Sequence, residues 1–143
     1  MQKIKIKKVK NKKDYNKTIK IREIVFIAEQ KVSRELEMDG LDKACEHFIV
    51  NLINKPIGCA RIRKTNDFIK LERIAILKKY RGKGFGRELT NFLIKYCKDK
   101  GFNKIYLHSQ LYISDFYKKL GFKKIGKKFL EANIEHIKMI LKI

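Results

Sequence analysis

The sequence lacks the residues that stabilise small secreted proteins and the apolar runs that build membrane spans. It has only three cysteines, Cys45, Cys59 and Cys97, and they form neither an even disulfide set nor a metal-binding spacing. We therefore expect a reducing compartment and three thiols that act in packing. No apolar run approaches the roughly 20 residues that a membrane helix needs, and no apolar segment follows the basic N-terminus. These absences predict a cytoplasmic protein with no membrane partner and no metal.

Tryptophan is absent, only one proline and eight glycines occur, and no linker, repeat or low-complexity segment divides the chain. A chain of 143 residues with 44% hydrophobic residues has enough apolar material for one core. At this size a core buries about two thirds of the surface that the unfolded chain exposes. The sequence therefore predicts one domain over residues 1–143.

Acidic residues are few, with 15 Asp and Glu against 36 Lys and Arg, and the formal net charge is +21. Such a charge attracts polyanions, including nucleic acid and the phosphates of a cofactor. The lysines are scattered along the whole chain, which does not favour nucleic acid as the partner, although a basic nucleic-acid-binding protein remains an alternative. Seven of the acids lie in one short stretch: Glu23, Glu29, Glu35, Glu37, Asp39, Asp42 and Glu46. This stretch predicts either a negative pocket for a cationic amine or a solvated loop with ordinary salt bridges.

Hydrophobic periodicity predicts an alternation of strands and helices. Apolar spacing predicts strands at residues 1–9, 48–53, 57–62, 68–77, 104–108, 122–125 and 134–141. It predicts helices at residues 13–30, 87–100 and 114–120, with a loop or broken helix in the charged segment 31–45. Turns at residues 54–56 and 65–67 make the second, third and fourth strands an antiparallel meander.

A glycine-rich loop between a strand and a helix is the most informative motif. It consists of Arg81, Gly82, Lys83, Gly84, Phe85 and Gly86. A glycine backbone can direct several N–H groups at one point, and a helix N-terminus adds about half a positive charge. The loop therefore predicts an anion site, strengthened by Arg81, Lys83 and Arg87. The glycine patterns of dinucleotide and mononucleotide loops are both absent, and a glycine turn without a ligand remains the alternative.

The order of strand, Arg-x-x-Gly-x-Gly and helix resembles the acetyl-CoA pyrophosphate motif of the GNAT superfamily of N-acetyltransferases. Arg81, Gly84 and Gly86 carry this motif, and residues 116–122 are similar to the family's Phe-Tyr-x-x-x-Gly-Phe. Residues 25–30 and 129–139 resemble the ElaA/YjcF-like branch. The resemblance implies an α/β (α+β) GNAT fold. This is a single mixed, mostly antiparallel twisted sheet of about six to seven strands, with about four helices and a splay between the fourth and fifth strands.

The resemblance also implies an activity, which is transfer of an acetyl group from acetyl-CoA to a primary amine by direct attack in a ternary complex. A small-molecule amine is favoured, and a homodimer is common in the family. The implied cofactor residues are Ile74, Ala75, Ile76, Arg81, Gly82, Lys83, Gly84, Phe85, Gly86, Arg87, Gln110 and Tyr117. In this set the backbone of residues 74–76 pairs with the pantetheine arm, and Gln110 stands where many members have asparagine.

Two residues are the first candidates for catalysis. Tyr117 stands where many family members have the tyrosine that donates to the departing CoA thiolate, and core packing is its alternative role. Glu72 alternates with Ile74 on one strand face and is the first candidate for the base, with a solvated glutamate as its alternative.

His47 and His108 are second candidates for the base because imidazole transfers protons near neutrality, and His136 resembles a family position. Each of them could instead be a structural histidine. Since the base is weakly marked, a non-catalytic CoA-binding protein is a further alternative.

Overall fold

The computed structural model describes residues 3–66 and 68–143 of the chain and contains one sheet. Its strands are β1 (Ile4–Lys8), β2 (Cys45–Leu52), β3 (Lys55–Thr65), β4 (Phe68–Ile76), β5 (Lys104–Gln110), β6 (Lys123–Glu131) and β7 (Ile134–Lys142). Its helices are α1 (Lys12–Arg22), α2 (Arg34–Glu37), α3 (Phe85–Asp99) and α4 (Ser114–Lys119). A π-helical segment, Glu23–Glu29, continues α1. The first residues of the predicted first strand and residue 67 of the predicted turn 65–67 lie outside the described residues.

The sheet has seven strands in the order β1-β2-β3-β4-β5-β7-β6, and only β4 and β5 pair in parallel. Their parallel contact is short, because it ends at the pair Leu71 and Leu107. Beyond that pair the two strands diverge. The expected mixed sheet, four helices and splay between the fourth and fifth strands are thus confirmed.

The two faces of the sheet differ in character near the splay. Ile69 and Leu71 of β4 belong to the main core, which α3 covers with side chains spaced four residues apart, including Leu89 and Leu93. Because successive strand residues point to opposite faces, Lys70 and Glu72 lie on the other face. Tyr106 pairs with Lys70, so Tyr106, His108 and Gln110 share that polar face. The π-helical segment and α1 cover part of this polar face through a small apolar cluster of Ile21, Val25, Cys59 and Ala75.

The predicted elements differ from the structure mainly at their ends. β6 extends to Glu131, whereas the sequence predicted a strand only over residues 122–125. Most of its residues are exposed because β6 is an edge strand, so it shows no alternation of apolar and polar side chains. The predicted helix 13–30 is divided into α1 and the π-helical segment, since a period of 3.6 does not distinguish the two.

The acidic stretch is held against the sheet by buried arginines. Arg22 is 1% exposed and donates to Glu37 over 2.9 Å and to Asp42 over 2.9 Å. Arg61 is fully buried and donates to Asp39 over 2.9 Å and to Asp42 over 2.9 Å. Of the two predictions for this stretch, the structure therefore favours salt bridges, and the carboxylates do not form a free negative surface.

We expect Arg22→Met to lower the free energy of unfolding by about 3 kcal/mol, because it leaves buried carboxylates short of a partner. It should also speed hydrogen exchange in residues 34–44, which Arg22 ties to α1. The matched control is Arg34→Met, since Arg34 pairs with Glu23 at the surface and should contribute less than about 1 kcal/mol. Urea unfolding of the two variants gives both values, and equal small losses would contradict the expected role of Arg22.

Candidate active site

A cavity of about 650 Å³ opens where β4 and β5 diverge. Its lining includes the ends of both strands, the π-helical segment, α2, α4 and the turn between β6 and β7. Of the residues expected to bind the cofactor or to be first candidates for catalysis, seven line it: Glu72, Ile74, Ala75, Ile76, Arg81, Gln110 and Tyr117. The others, Gly82, Lys83, Gly84, Phe85, Gly86 and Arg87, form the adjoining loop and the start of α3. The structure thus brings the two predicted motifs to one place.

The glycine loop has the geometry of an anion site. Gly84 is the N-cap of α3 with φ of 85°, and Gly82 has φ of 77°, so both occupy the left-handed region that glycine favours. No side chain caps the helix, and its first N–H groups therefore have no side-chain acceptor. Gly86 has ordinary φ, but a Cβ there would lie 3.7 Å from Phe116 and 4.0 Å from Ile76, which both line the cavity. The loop can therefore present backbone N–H groups and the helix dipole to an anion beside the cavity.

Arg81, expected to strengthen the anion site, also makes contacts within the protein. Its Nε donates to the carbonyl oxygen of Ile76 over 2.8 Å, and its two terminal nitrogens donate to Glu29 over 2.6 Å and 3.0 Å. The hydrogen bonds from Arg81 lower the pKa of Glu29. Arg81 therefore ties the loop to the end of β4 and to the π-helical segment, and leaves direct charge at the loop to Lys83 and Arg87.

The end of β4 presents an unpaired edge to the cavity. Ala75 and Ile76 pair with β3, but the ladder to β5 ends at Leu71. Arg73, at the register shift between β3 and β4, has φ of 56°. The backbone of Ile74–Ile76 can therefore pair with an extended ligand lying in the splay.

Tyr117 of α4 lines the cavity and carries a protonated hydroxyl. The residue is 6% exposed, and its ring packs edge-on against Phe116 and Phe122. Burial raises its pKa, so the phenol stays protonated at neutral pH. The hydroxyl makes no hydrogen bond with the described residues, and it remains available as a donor.

Glu72 lines the cavity, as expected, but its carboxylate is held by three cations. It accepts from Arg61 over 2.8 Å and from Arg63 over 2.9 Å, and it lies 3.0 Å from the Lys70 ammonium. Burial alone would raise the pKa of Glu72, but the hydrogen bond from Arg63 and the charges of Arg61 and Lys70 lower it to about 2. Such a carboxylate is a weak proton acceptor. The role of Glu72 as base stays a prediction, and these ion pairs count against it.

The three histidines have different environments. His47 lies outside the cavity lining, and its Nε2 is 2.9 Å from the Asp42 carbonyl oxygen. Burial lowers the pKa of His47. His108 and His136 both line the cavity with Glu131 between them. Glu131 lies 3.1 Å from Nδ1 of His108 and 3.6 Å from Nε2 of His136.

Glu131 is a residue of the cavity that the sequence did not indicate. It ends β6 before the two-residue turn of Ala132 and Asn133, which both have positive φ in the structure. Glu131 pairs with Ile134 and Phe129 pairs with His136, so Glu131 and His136 are diagonal neighbours on one face of the hairpin. Gln110, at the end of β5, donates to Gln30 over 2.7 Å and links this strand to the segment after the π-helix.

The cysteines lie outside the cavity lining. Burial raises the pKa of Cys59 and of Cys97 to about 12, so neither is a thiolate at neutral pH. Among residues 3–66 and 68–143, no cluster of three or more His, Cys, Asp or Glu is suited to a metal ion. No helix in the same residues is long and apolar enough to cross a membrane.

The chain is similar in sequence to acetyltransferases, uncharacterized ones included. A family model described as an acetyltransferase (GNAT) domain matches residues 12–143. The uncharacterized N-acetyltransferase YjcF of Bacillus subtilis is 37% identical over 132 residues, which are 92% of this chain and 94% of YjcF.

Solved structures share the same fold at lower sequence identity. Escherichia coli ElaA superposes with a TM-score of 0.87 at 21% identity, covering 96% of this chain and 99% of that one. A GNAT family acetyltransferase from Elizabethkingia anophelis with acetyl-CoA bound superposes with a TM-score of 0.73 at 18% identity, covering 98% of each chain.

We expect the ion pairs of Glu72 to make the free energy of unfolding depend on pH below about 4.5. Its pKa is depressed from the ordinary value of 4.5 to about 2 in the folded state, so its contribution is present above about pH 4.5 and is lost as the pH falls toward 2. The contribution above that window is about 3 kcal/mol. Glu72→Gln should therefore be less stable at pH 7 and show a flatter dependence between pH 4.5 and 2. Urea unfolding across this range measures both, with Glu135→Gln, at an exposed pair with Lys128, as the control that should follow the wild type.

Proposed function

Because this chain belongs to the GNAT family of acetyltransferases, we propose that it transfers an acetyl group from acetyl-CoA to a small primary amine. The observation that carries the proposal is the cavity at the splay, which joins the glycine loop, the unpaired edge of β4 and the Tyr117 hydroxyl. The protonated Tyr117 side chain beside the unpaired edge favours catalysis over CoA binding alone.

The residues present fit the acetyl donor. The uncapped start of α3 offers N–H groups to a pyrophosphate, with Lys83 and Arg87 exposed beside it. The free edge of Ile74–Ile76 suits the amide-containing pantetheine arm, and Gln110 offers an amide at the end of β5. When bound, acetyl-CoA supplies an activated thioester carbonyl.

The candidate acid and the candidate bases lie on opposite faces of the sheet. Tyr117 belongs to the core face with α3 and α4, whereas Glu72 and His108 lie on the face that α1 covers. We assign the departing thiolate to the Tyr117 side and the acceptor amine to the other side. A backbone N–H of β4 stabilises the oxyanion. Since Cys59 and Cys97 are buried thiols, the amine attacks directly, without an acyl-enzyme.

The cavity favours a monoamine over a polyamine. Each of the five carboxylates that line it already has a cationic or histidine partner: Glu29, Glu37, Asp39, Glu72 and Glu131. Among the described residues of the lining, no carboxylate without such a partner remains for a second ammonium group. Apolar side chains also line it: Phe26, Leu36, Tyr112, Ile113 and Ile134. A screen of 2-phenylethylamine, tyramine, lysine and spermidine should give its highest kcat/KM with an aryl monoamine, and a clear preference for spermidine would reject this part of the proposal.

Gly84→Ala should weaken acetyl-CoA binding at least tenfold, because alanine is strained at φ of 85° and would shift the backbone N–H groups that the loop presents to the anion. Thermal stabilisation by acetyl-CoA measures the affinity by mass action. The matched control is Gly101→Ala, which has the same strain at φ of 91° and the same open surroundings, but lies at the other end of α3. Both variants should lose similar stability, and only Gly84→Ala should lose the ligand shift.

ATP at equal concentration separates specific binding from attraction to the net charge of +21. Equal shifts with ATP and acetyl-CoA, or equal affinity for acetyl-CoA in both glycine variants, would overturn the assignment of the loop. Nucleic-acid binding would then be the function to test.

Tyr117→Phe should lower kcat by about tenfold to a hundredfold, because the phenol donates to a thiolate that is already a fair leaving group. Affinity for acetyl-CoA and thermal stability should stay close to those of the wild type, since the hydroxyl bonds to none of the described residues. Tyr96→Phe is the control, because Tyr96 lies outside the cavity lining. Its hydroxyl donates to Glu46 over 2.8 Å, and the change removes that hydroxyl. An unchanged kcat in Tyr117→Phe would show that Tyr117 is a packing residue.

A further inference from the structure

We propose that His108 is the base that takes the proton from the acceptor amine and that Glu131 positions it for this step. The inference rests on the proposed acetyl transfer and names the group that completes it. The reaction needs such a group because an alkylammonium has no lone pair with which to attack a carbonyl carbon.

His108 stands at the apex of the splay. It directly follows Leu107, the last residue of β5 that pairs with β4. It lies on the polar face of the sheet, lines the cavity and keeps 24% of its side chain exposed. An amine approaching the splay from that face therefore meets the imidazole.

Glu131 fixes which ring nitrogen of His108 can accept a proton. Its Oε1 lies 3.1 Å from Nδ1, so Nδ1–H donates to the carboxylate, and the lone pair is left on Nε2. Nε2 of His108 makes no hydrogen bond with the described residues. The hydrogen bond from His108 lowers the pKa of Glu131, so the carboxylate stays ionised and also stabilises the imidazolium that forms. Phe129 packs edge-on against the ring at 5.0 Å between centroids and holds its orientation.

The other groups that face His108 are already engaged. On β4, Lys70 lies 3.0 Å from Glu72, which also accepts from Arg61 and Arg63. On β5, Tyr106 bonds to Thr65, and Gln110 bonds to Gln30. On β7, the Lys138 ammonium lies 4.7 Å from the centre of the Tyr106 ring.

His136, also on β7, is the nearest competitor for the role of base. Its Nδ1 donates to the Ile134 carbonyl oxygen over 2.7 Å, its Nε2 faces Glu131, and only 6% of the residue is exposed. Among the described residues around the apex, His108 therefore combines an unbonded acceptor nitrogen with access to the cavity.

One ammonium proton passes to Nε2 of His108, and the freed nitrogen lone pair forms the C–N bond with the acetyl carbonyl carbon. The C–S bond breaks with its electron pair on sulfur. The second proton lost by nitrogen ends on sulfur by way of the Tyr117 hydroxyl, and His108 releases the first to solvent. The products are the N-acetyl amine, the free thiol and one proton.

The test is the pH dependence of kcat/KM, measured with the most active amine of the screen at saturating acetyl-CoA. The kcat/KM of the wild type should rise with pH as the base loses its proton, and His108→Gln should lose this rise and have a kcat/KM lower by about 100-fold or more. His47→Gln is the matched control, because it removes a histidine that lies outside the cavity, and it should keep the limb. The ionisation of the amine itself affects all variants equally.

A second readout does not depend on turnover. The chain has only three histidines, so single substitutions assign each imidazole by ¹⁵N NMR. The neutral His108 ring should be protonated at Nδ1 in the wild type and change its tautomer distribution in Glu131→Gln. Glu131→Gln should also lower kcat/KM less than His108→Gln does.

The outcomes separate the two proposals. A pH limb retained in His108→Gln, or lost instead in Glu72→Gln, would overturn the assignment of His108 and leave the acetyl transfer intact. A wild-type His108 ring protonated at Nε2 would overturn the positioning role of Glu131. Absence of turnover by wild type with every amine would overturn the proposed function and the base with it.

Discussion

The site depends on one short contact, the parallel pairing of β4 and β5 that ends at Leu71 and Leu107. A longer pairing would close the sheet and satisfy the backbone groups of Ile74–Ile76 within the protein. Because it stops, a strand edge that would ordinarily have a neighbour faces a cavity, and buried backbone groups of this kind require a partner. An extended ligand with amide groups is such a partner. The same divergence gives access from both faces of the sheet, so two substrates can meet between the strands.

The arginine and carboxylate network on the polar face holds the walls of this opening. Arg61 is buried and contacts Asp39, Asp42 and Glu72, so one side chain joins the acidic stretch to β4. Relative to well-packed apolar residues, complete buried ion pairs add little stability, because desolvation offsets the attraction between the charges, whereas removal of one partner is costly. They do fix geometry, since removing any member leaves another charge unpaired. The arginines of the network also neutralise the carboxylates Glu37, Asp39 and Glu72 that line the cavity.

The sequence predicted those parts of the site that depend on local backbone requirements. Gly82 and Gly84 are glycines because each has φ in the left-handed region, and the same loop identified the start of α3. The expected alternation of Glu72 with Ile74 and Ile76 on one face was wrong, because the register shift at Arg73 breaks it. Ile74 and Ile76 pack against the main core, whereas Glu72 lies on the opposite face and still lines the cavity. Its neutralisation could not be predicted, because it depends on the register that brings Arg61 and Arg63 beside it. The partner of Arg81 is equally non-local, since Glu29 is 52 positions away in the chain.

The proposed acid and base are separated by their environments more than by their residue types. Tyr117 is packed against the rings of Phe116 and Phe122, and its burial disfavours the phenolate, so the hydroxyl keeps its proton at neutral pH. His108 lies beside the Glu131 carboxylate at the open side of the splay, and its side chain is partly exposed. Burial thus holds the proposed acid in its protonated form, whereas the proposed base keeps an unbonded ring nitrogen and contact with the open cavity. The divergence of β4 and β5 creates both environments, since it leaves an apolar enclosure on the α4 side and a polar opening on the other.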